Sequence, residues 1–306
     1  MRWRSPALAT AVVVIAAFCW GLSAIFAKGA FESGIPPERM AEARIAIAGV
    51  LLLGFLAVAR RDLLRVPREA LLPAVVFGVS LVLVNVSYYV AIDRLPVGVA
   101  IALQYTAPVF VLAVTGLVGG RVPGALVWVA GVMTLAGAIL VSGAYAGFGG
   151  VDGVGLVAGF GSAVSFAMYL LSAEEAGRRG AHPATLLAVG CIVAAAIWTV
   201  VAPWWTWPFD RLGDPVNAFR VIAVGVVGTL LPFLLVLAAL RVISSALAGI
   251  AATFEPVFAS GLAFLLLGQG LSVAQLVGGA LVVIGVVLAQ ATRGQPSEAM
   301  PVEVAA

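Results

Sequence analysis

Residues 100–120, AIALQYTAPVFVLAVTGLVGG, and residues 248–268, AGIAATFEPVFASGLAFLLLG, are two editions of one segment. A shift of 148 places Ala100 on Ala248, Pro108 on Pro256, Val109 on Val257, Phe110 on Phe258 and Gly120 on Gly268. The register extends upstream to Ala91 on Ala239. Downstream it takes in Gly131 on Gly279, Gly137 on Gly285 and Leu140 on Leu288. Near the start of each half, a shift of 146 puts Pro37 over Pro183. Each copy contains an apolar run close to the ~20 residues that carry an α-helix across ~30 Å of hydrocarbon. The duplicated object is therefore a set of membrane-spanning helices.

Composition agrees. Apolar residues make up 63% of the chain and charged residues only 10%, against roughly 45–50% and about 25% in soluble domains. A folded water-soluble domain of this size still exposes much of its surface, so lipid is read as the solvent here. The 35 glycines fit helices packed at close range in a bilayer. A formal charge of +3 is carried by short loops without a basic stripe, so a nucleic-acid partner is not indicated. Cys19 and Cys191 lie in apolar runs with no disulfide or metal-ligand spacing and read as small packing residues. His182, the sole histidine, reads as a solvated loop residue beside Pro183. The apolar run from Ala7 to Ala27 exceeds a signal-peptide core of about 7–15 residues and reads as a retained first span.

Charged and turn residues divide the chain into ten spans, at 7–27, 38–59, 70–90, 97–118, 124–143, 153–173, 184–203, 217–238, 244–266 and 272–291. Helix is required, because unpaired backbone groups in lipid cost several kcal/mol each and barrel-type alternation is absent. One side of this arrangement carries Arg2, Arg4, Arg60, Arg61, Arg65, Arg68, Arg121, Arg178, Arg179, Arg241 and Arg293. The other carries Lys28, Arg39, Arg94, Arg211 and Arg220. Eleven against five places both termini in the cytoplasm. Trp204, Trp205 and Trp207 then fall at the outer end of span seven, where an aromatic belt is expected.

Five spans per half is an odd number, so the second half must enter the membrane upside down relative to the first. The fold expected is an all-α integral membrane protein of ten helices in two inverted five-helix repeats, residues 7–143 and 153–291. Residues 293–306, polar and without an apolar face, are expected to be a disordered cytoplasmic tail. Two stretches carry a resemblance, Tyr105-Thr106-Ala107-Pro108-Val109-Phe110 and Phe254-Glu255-Pro256-Val257-Phe258-Ala259. With Trp20-Gly21 and the glycines that follow each stretch, they resemble the two copies of the EamA repeat, of the drug/metabolite transporter superfamily. The resemblance spans nearly the whole chain. It implies ten helices with cytoplasmic termini in the cell inner membrane and transport of small metabolites, often efflux of amino acids or related compounds. One departure is visible. The family often has a Glu after the glycine that ends the fourth span of each repeat, where this chain has Arg121 and Gln269. No coupling role attached to that Glu carries over.

Polar residues within spans are costly and point to a transport path. Glu255 lies midway between Arg241 and Gln269, and a carboxylate at that depth costs roughly 2.5–3.5 kcal/mol on insertion scales. It must face a cavity, pair with a cation or another helix, or stay protonated, and it is the candidate for proton coupling. Pro256 beside it predicts a kink. Gln104 and Tyr105 hold the matching place in the first half, where they either contact substrate or bond across helices. Arg44, about 8 Å below the outer end of span two, either reaches toward the headgroups or meets a substrate carboxylate. Glu42 is on nearly the opposite helix face and is a poor partner for it. Trp20 and Asn85 fall at similar depth, and either they line one outward cavity with Arg44 or Trp20 is an ordinary helix-packing aromatic. Tyr88, Tyr89 and Tyr169 read as packing or interface residues, and Lys28 as an interfacial anchor.

The function expected is a secondary transporter of a small polar or amphipathic metabolite working by alternating access, driven by protons or by the substrate's own gradient. No Walker-type phosphate loop is present to indicate an ATP-driven pump, and no cofactor or metal signature appears. A channel or structural membrane partner is the alternative. A membrane-embedded enzyme is less favoured, because no span contains His and no carboxylate pair appears. Substrate, direction and oligomeric state are not legible in the sequence.

Overall fold

The computed structural model describes residues 5–95, 97–119, 124–146, 152–268 and 270–291. Arg2, Arg4, Gly120, Arg121, Gln269 and the tail at 293–306 lie outside the described residues. Among those described, the secondary structure is helical, with no strand. The helices are α1 (Pro6–Glu32), α2 (Pro37–Ala59), α3 (Leu71–Arg94), α4 (Val97–Gln104), α5 (Ala107–Gly119), α6 (Ala125–Ser142) and α7 (Gly153–Arg178). After them come α8 (Pro183–Val201), α9 (Pro215–Gly225), α10 (Leu231–Ala239), α11 (Ser245–Ala252), α12 (Phe254–Leu267) and α13 (Val273–Ala291). Among the described residues, nine helical segments, some built from two or more of these helices, are long and apolar enough to cross a membrane, and a shorter apolar helix covers Val273–Ala289. Large apolar side chains point outward along them, with Val58 at 86% and Val200 at 82% exposure. Water would not tolerate so much apolar surface, so these faces meet lipid.

Local chemistry sets the ends. Proline opens α1, α2, α8 and α9, where its missing N–H costs nothing. Side chains of Asp152, Asp214 and Ser244 accept from the first-turn amides of α7, α9 and α11. His182, expected to be solvated, is instead a half-buried cap whose Nδ1 accepts from the Ala184 amide at 3.2 Å. Burial holds its imidazole below the usual histidine pKa. Glu174 reaches across from α7 to accept from the Ser245 amide at 2.7 Å.

Two of the expected spans are broken and a third changes its helical form, and a proline accounts for each. A helical proline leaves the carbonyl four residues earlier without its donor and crowds it. Pro108 acts on Gln104, where α4 ends, and Pro256 acts on Ala252, where α11 ends. Pro232 acts on Gly228, within a π-helical turn, Val226–Leu230, that joins α9 to α10. The Pro256 kink was expected from sequence; the π turn was not.

Packing joins the two halves of the chain. α3 lies against α7 and α8, while α1 and α2 lie against α9 and the π turn. α4 and α5 pack on α7, and α11 and α12 on α1. α6 meets α13 so closely that a Cβ on Gly137 would stand 2.6 Å from the Gly278 carbonyl oxygen. At the α1–α2 end, Arg39 bonds Glu42 at 2.9 Å and the Ala202 carbonyl at 3.1 Å. Glu42 is thus Arg39's partner and not Arg44's. Trp207, expected in an interfacial belt, is buried there and donates to the Arg39 carbonyl at 3.0 Å; Trp204 and Trp205 are exposed. Cys19 and Cys191 are free and buried.

Gly137→Leu is expected to lower stability by about 1–3 kcal/mol through overpacking. Gly261→Ala, whose Cβ meets nothing within 4 Å, should be neutral or stabilising by about 0.5–1 kcal/mol. Thermal unfolding in detergent separates the two.

Candidate functional site

A cavity of about 650 Å³ lies between the halves, and Trp20, Arg44, Asn85, Gln104, Tyr105 and Glu255 all line it. It extends from Lys28 and Pro37, at the α1–α2 end, to Tyr169 and Phe233. Four of its polar groups sit at or beside helix interruptions. Gln104 and Tyr105 flank the α4–α5 break, Glu255 follows the α11–α12 break at Thr253, and Arg44 faces the π turn. Irregular backbone at membrane depth is tolerated where it borders a cavity.

Tyr105 donates its hydroxyl to Glu255 Oε2 at 2.7 Å, joining the two breaks. Glu255 is therefore bonded to a neighbouring helix and faces the cavity at the same time. Arg44 is the cation whose field reaches it. Arg44 does not extend toward headgroups. Its Nε donates to Thr229 Oγ1 at 2.6 Å, and its Nη2 donates to the Gly228 carbonyl. The carbonyl that Pro232 deprives of a donor thus receives one from α2. Asn85 donates to the Leu81 carbonyl on its own helix at 2.7 Å, leaving its carbonyl oxygen for other partners. Gln104 is half-buried, and its side chain has no hydrogen-bond partner among the described residues.

One wall is aromatic. Trp20 meets Phe233 edge-on at 5.7 Å, and Phe233 meets Tyr169 at 5.6 Å. Tyr169 also stacks on Phe166 at 5.7 Å. Tyr169 is the packing residue expected, fully buried, yet it also lines the cavity, as do Tyr88 and Lys28. The side chain of Tyr89 is not among those described. Sequence reasoning missed Ser23, Phe233 and Thr229. Pro232 was the available signal for Thr229, since the carbonyl it frees is that of the neighbouring Gly228.

A helical membrane protein with a polar, mostly apolar-walled cavity between two similar halves is the architecture of a small-molecule transporter. The EamA-like transporter family profile matches residues 7–143 and again 153–290. The chain belongs to that family. It is similar to the threonine/homoserine exporter RhtA of Escherichia coli K12, with 29% identity over 239 residues, 76% of this chain and 75% of the relative. An uncharacterised transporter of Archaeoglobus fulgidus is 32% identical over 243 residues, 78% of this chain and 83% of the relative. A solved crystal structure superposes with a TM-score of 0.77 at 22% identity, covering 94% of this chain and 98% of the other, which shows the fold alone.

Removing the donor to Glu255 isolates a carboxylate in a low-dielectric setting. Tyr105→Phe is therefore expected to destabilise by about 1–3 kcal/mol. Glu255→Gln keeps an acceptor for the Tyr105 hydroxyl and should cost less. A double-mutant cycle on thermal unfolding reads the coupling.

Proposed function

We propose that this protein is a secondary active transporter that moves a small amino acid or related metabolite, in the direction of efflux, across the inner membrane by alternating access. The observation that carries the reading is the gathering of Arg44 and Glu255 in one cavity bordered by interrupted helices of both halves. A cation and a carboxylate facing one space suit a zwitterion. Arg44 takes the substrate's carboxylate, and Glu255 takes its ammonium or the coupling proton. Gln104, Tyr105 and Asn85 supply neutral polar contacts, and Trp20 offers its face to the ammonium. The similarity to RhtA supports an amino acid with a polar side chain.

In this reading the chain is ten helices in two inverted repeats, 7–143 and 153–291, with both termini cytoplasmic. Helix packing supports the inversion. The α3 contacts with α7 and α8 match those of α9 and the π turn with α1 and α2 across the repeat. The close approach of Gly78 to Val193 has a parallel, one residue out of the 148 register, in Gly225 against Ile47. Near-equivalent halves can exchange conformations and so turn an outward cavity into an inward one.

Purified protein in proteoliposomes should show saturable counterflow of L-threonine or L-homoserine; fluxes equal to protein-free vesicles over an amino-acid panel would end the proposal. Where Glu255 carries the coupling proton, Glu255→Gln is expected to lose acceleration by a pH gradient while counterflow persists; where it binds the ammonium, counterflow falls as well. Unchanged pH-driven flux in that variant would remove Glu255 from proton coupling. Cysteine labelling should place position 65 on the cytoplasmic face and position 150 on the opposite one.

A further inference from the structure

We infer that Thr229 is a positioning residue for a carboxylate seat, and that the π turn it belongs to is what makes Arg44 selective for a planar oxyanion. The inference rests on the reading of Arg44 given above and adds the device that orients it. Pro232 removes the amide that would have bonded the Gly228 carbonyl, and the chain widens into a π turn over Val226–Leu230. Arg44 enters from α2 with Nη2 on that carbonyl and Nε on Thr229 Oγ1, 2.6 Å away.

Two bonds on one edge of a rigid planar group fix its plane as well as its position. Glycine is required at 228 because a Cβ there would stand 2.1 Å from Ser23 Oγ on α1, so the turn is backed by a second helix. Thr229 itself is 1% exposed and has little room to move.

The guanidinium has five N–H donors, and these contacts use two of them. The rest find no acceptor among the described residues, and Arg44 forms no ion pair there. The Nη1–Nη2 end is left for a bidentate partner, the geometry that carboxylates fit. Charge balance points the same way. Among the described residues, the charged ones lining the cavity are Lys28, Arg44 and Glu255, and Glu255 is already engaged by the Tyr105 hydroxyl. A cavity with surplus positive charge and an oriented fork calls for an anionic group on the substrate.

Three proteins test this: wild type, T229V, which keeps the shape and removes the acceptor, and T229S, which restores an acceptor. Counterflow is measured with L-threonine and with L-threoninamide, which lacks the carboxylate. T229V should raise the half-saturation for L-threonine about tenfold, the scale of one charge-assisted hydrogen bond. Maximal rate should change little, T229S should restore the affinity, and threoninamide should be moved alike by wild type and T229V.

Equal loss on both substrates, or no loss on either, would overturn the inference. Thermal shifts with sodium propionate and propionamide test the seat apart from transport. Propionate should stabilise wild type and T229S but not T229V, and propionamide should stabilise none. A wild type silent in counterflow but answering to propionate in this way would fail the transport reading and keep the seat. A wild type and T229V that respond equally to propionate would fail the seat alone.

Discussion

A peptide carbonyl in hydrocarbon needs a donor, and three prolines in this chain remove donors from carbonyls inside its spans. Each loss costs several kcal/mol if left unanswered. The chain answers in two ways. At Pro108 and Pro256 the helix stops and restarts, so that α4 and α11 end four residues before each proline. At Pro232 the helix continues as a π turn, and a side chain from another helix supplies the missing donor. The two helix breaks lie at the border of the cavity, where polar groups of the interior offset their cost. The cavity and the helix breaks follow from one constraint.

That constraint also sets the electrostatics. Arg44 would be expensive on a lipid-facing helix and is retained here because a carbonyl and a hydroxyl bind it. Glu255 has the Tyr105 hydroxyl and the field of Arg44. Neither charge is fully neutralised by the other, since no ion pair joins them among the described residues. A directly paired arginine and glutamate would satisfy each other and leave little for a ligand. The separation keeps both groups stable enough to be buried and, in the proposed reading, free enough to bind.

Much of this was legible in the sequence because hydrophobic length and the 148-residue register are coarse signals that survive helix rotation. The six polar residues singled out converge because intramembrane polar groups have few places to go other than an interior cavity. The second partners were not legible. That Arg44 turns to Thr229 depends on how α2 is rotated against α9 and α10, and periodicity does not encode rotation. Trp207 misled because an aromatic near a span end suits the belt and the buried cap over Met40 equally well. His182 misled in the same manner, since a loop histidine and an N-cap occupy the same sequence position.

The two halves are alike in scaffold and unlike in chemistry. At the shift of 146, Arg44 corresponds to Gly190, and at 148 Thr229 corresponds to Leu81. The polar contact of Arg44 with Thr229 thus has as its counterpart an apolar one, Gly190 against Phe77 and Leu81. Pro232 falls opposite Val84, and α3 accordingly runs on without a π turn. In the proposed cycle the two sides would therefore be closed by different forces. One closure depends on hydrogen bonds to a charged group, which a carboxylate ligand can compete for or reinforce. The other depends on aromatic and aliphatic packing, which a small polar ligand cannot replace. A ligand can shift an equilibrium only by its differential affinity for the two states, so substrate would act chiefly on the Arg44 side. In that cycle duplication would supply two closures, and the unequal residues would decide which of them answers to substrate.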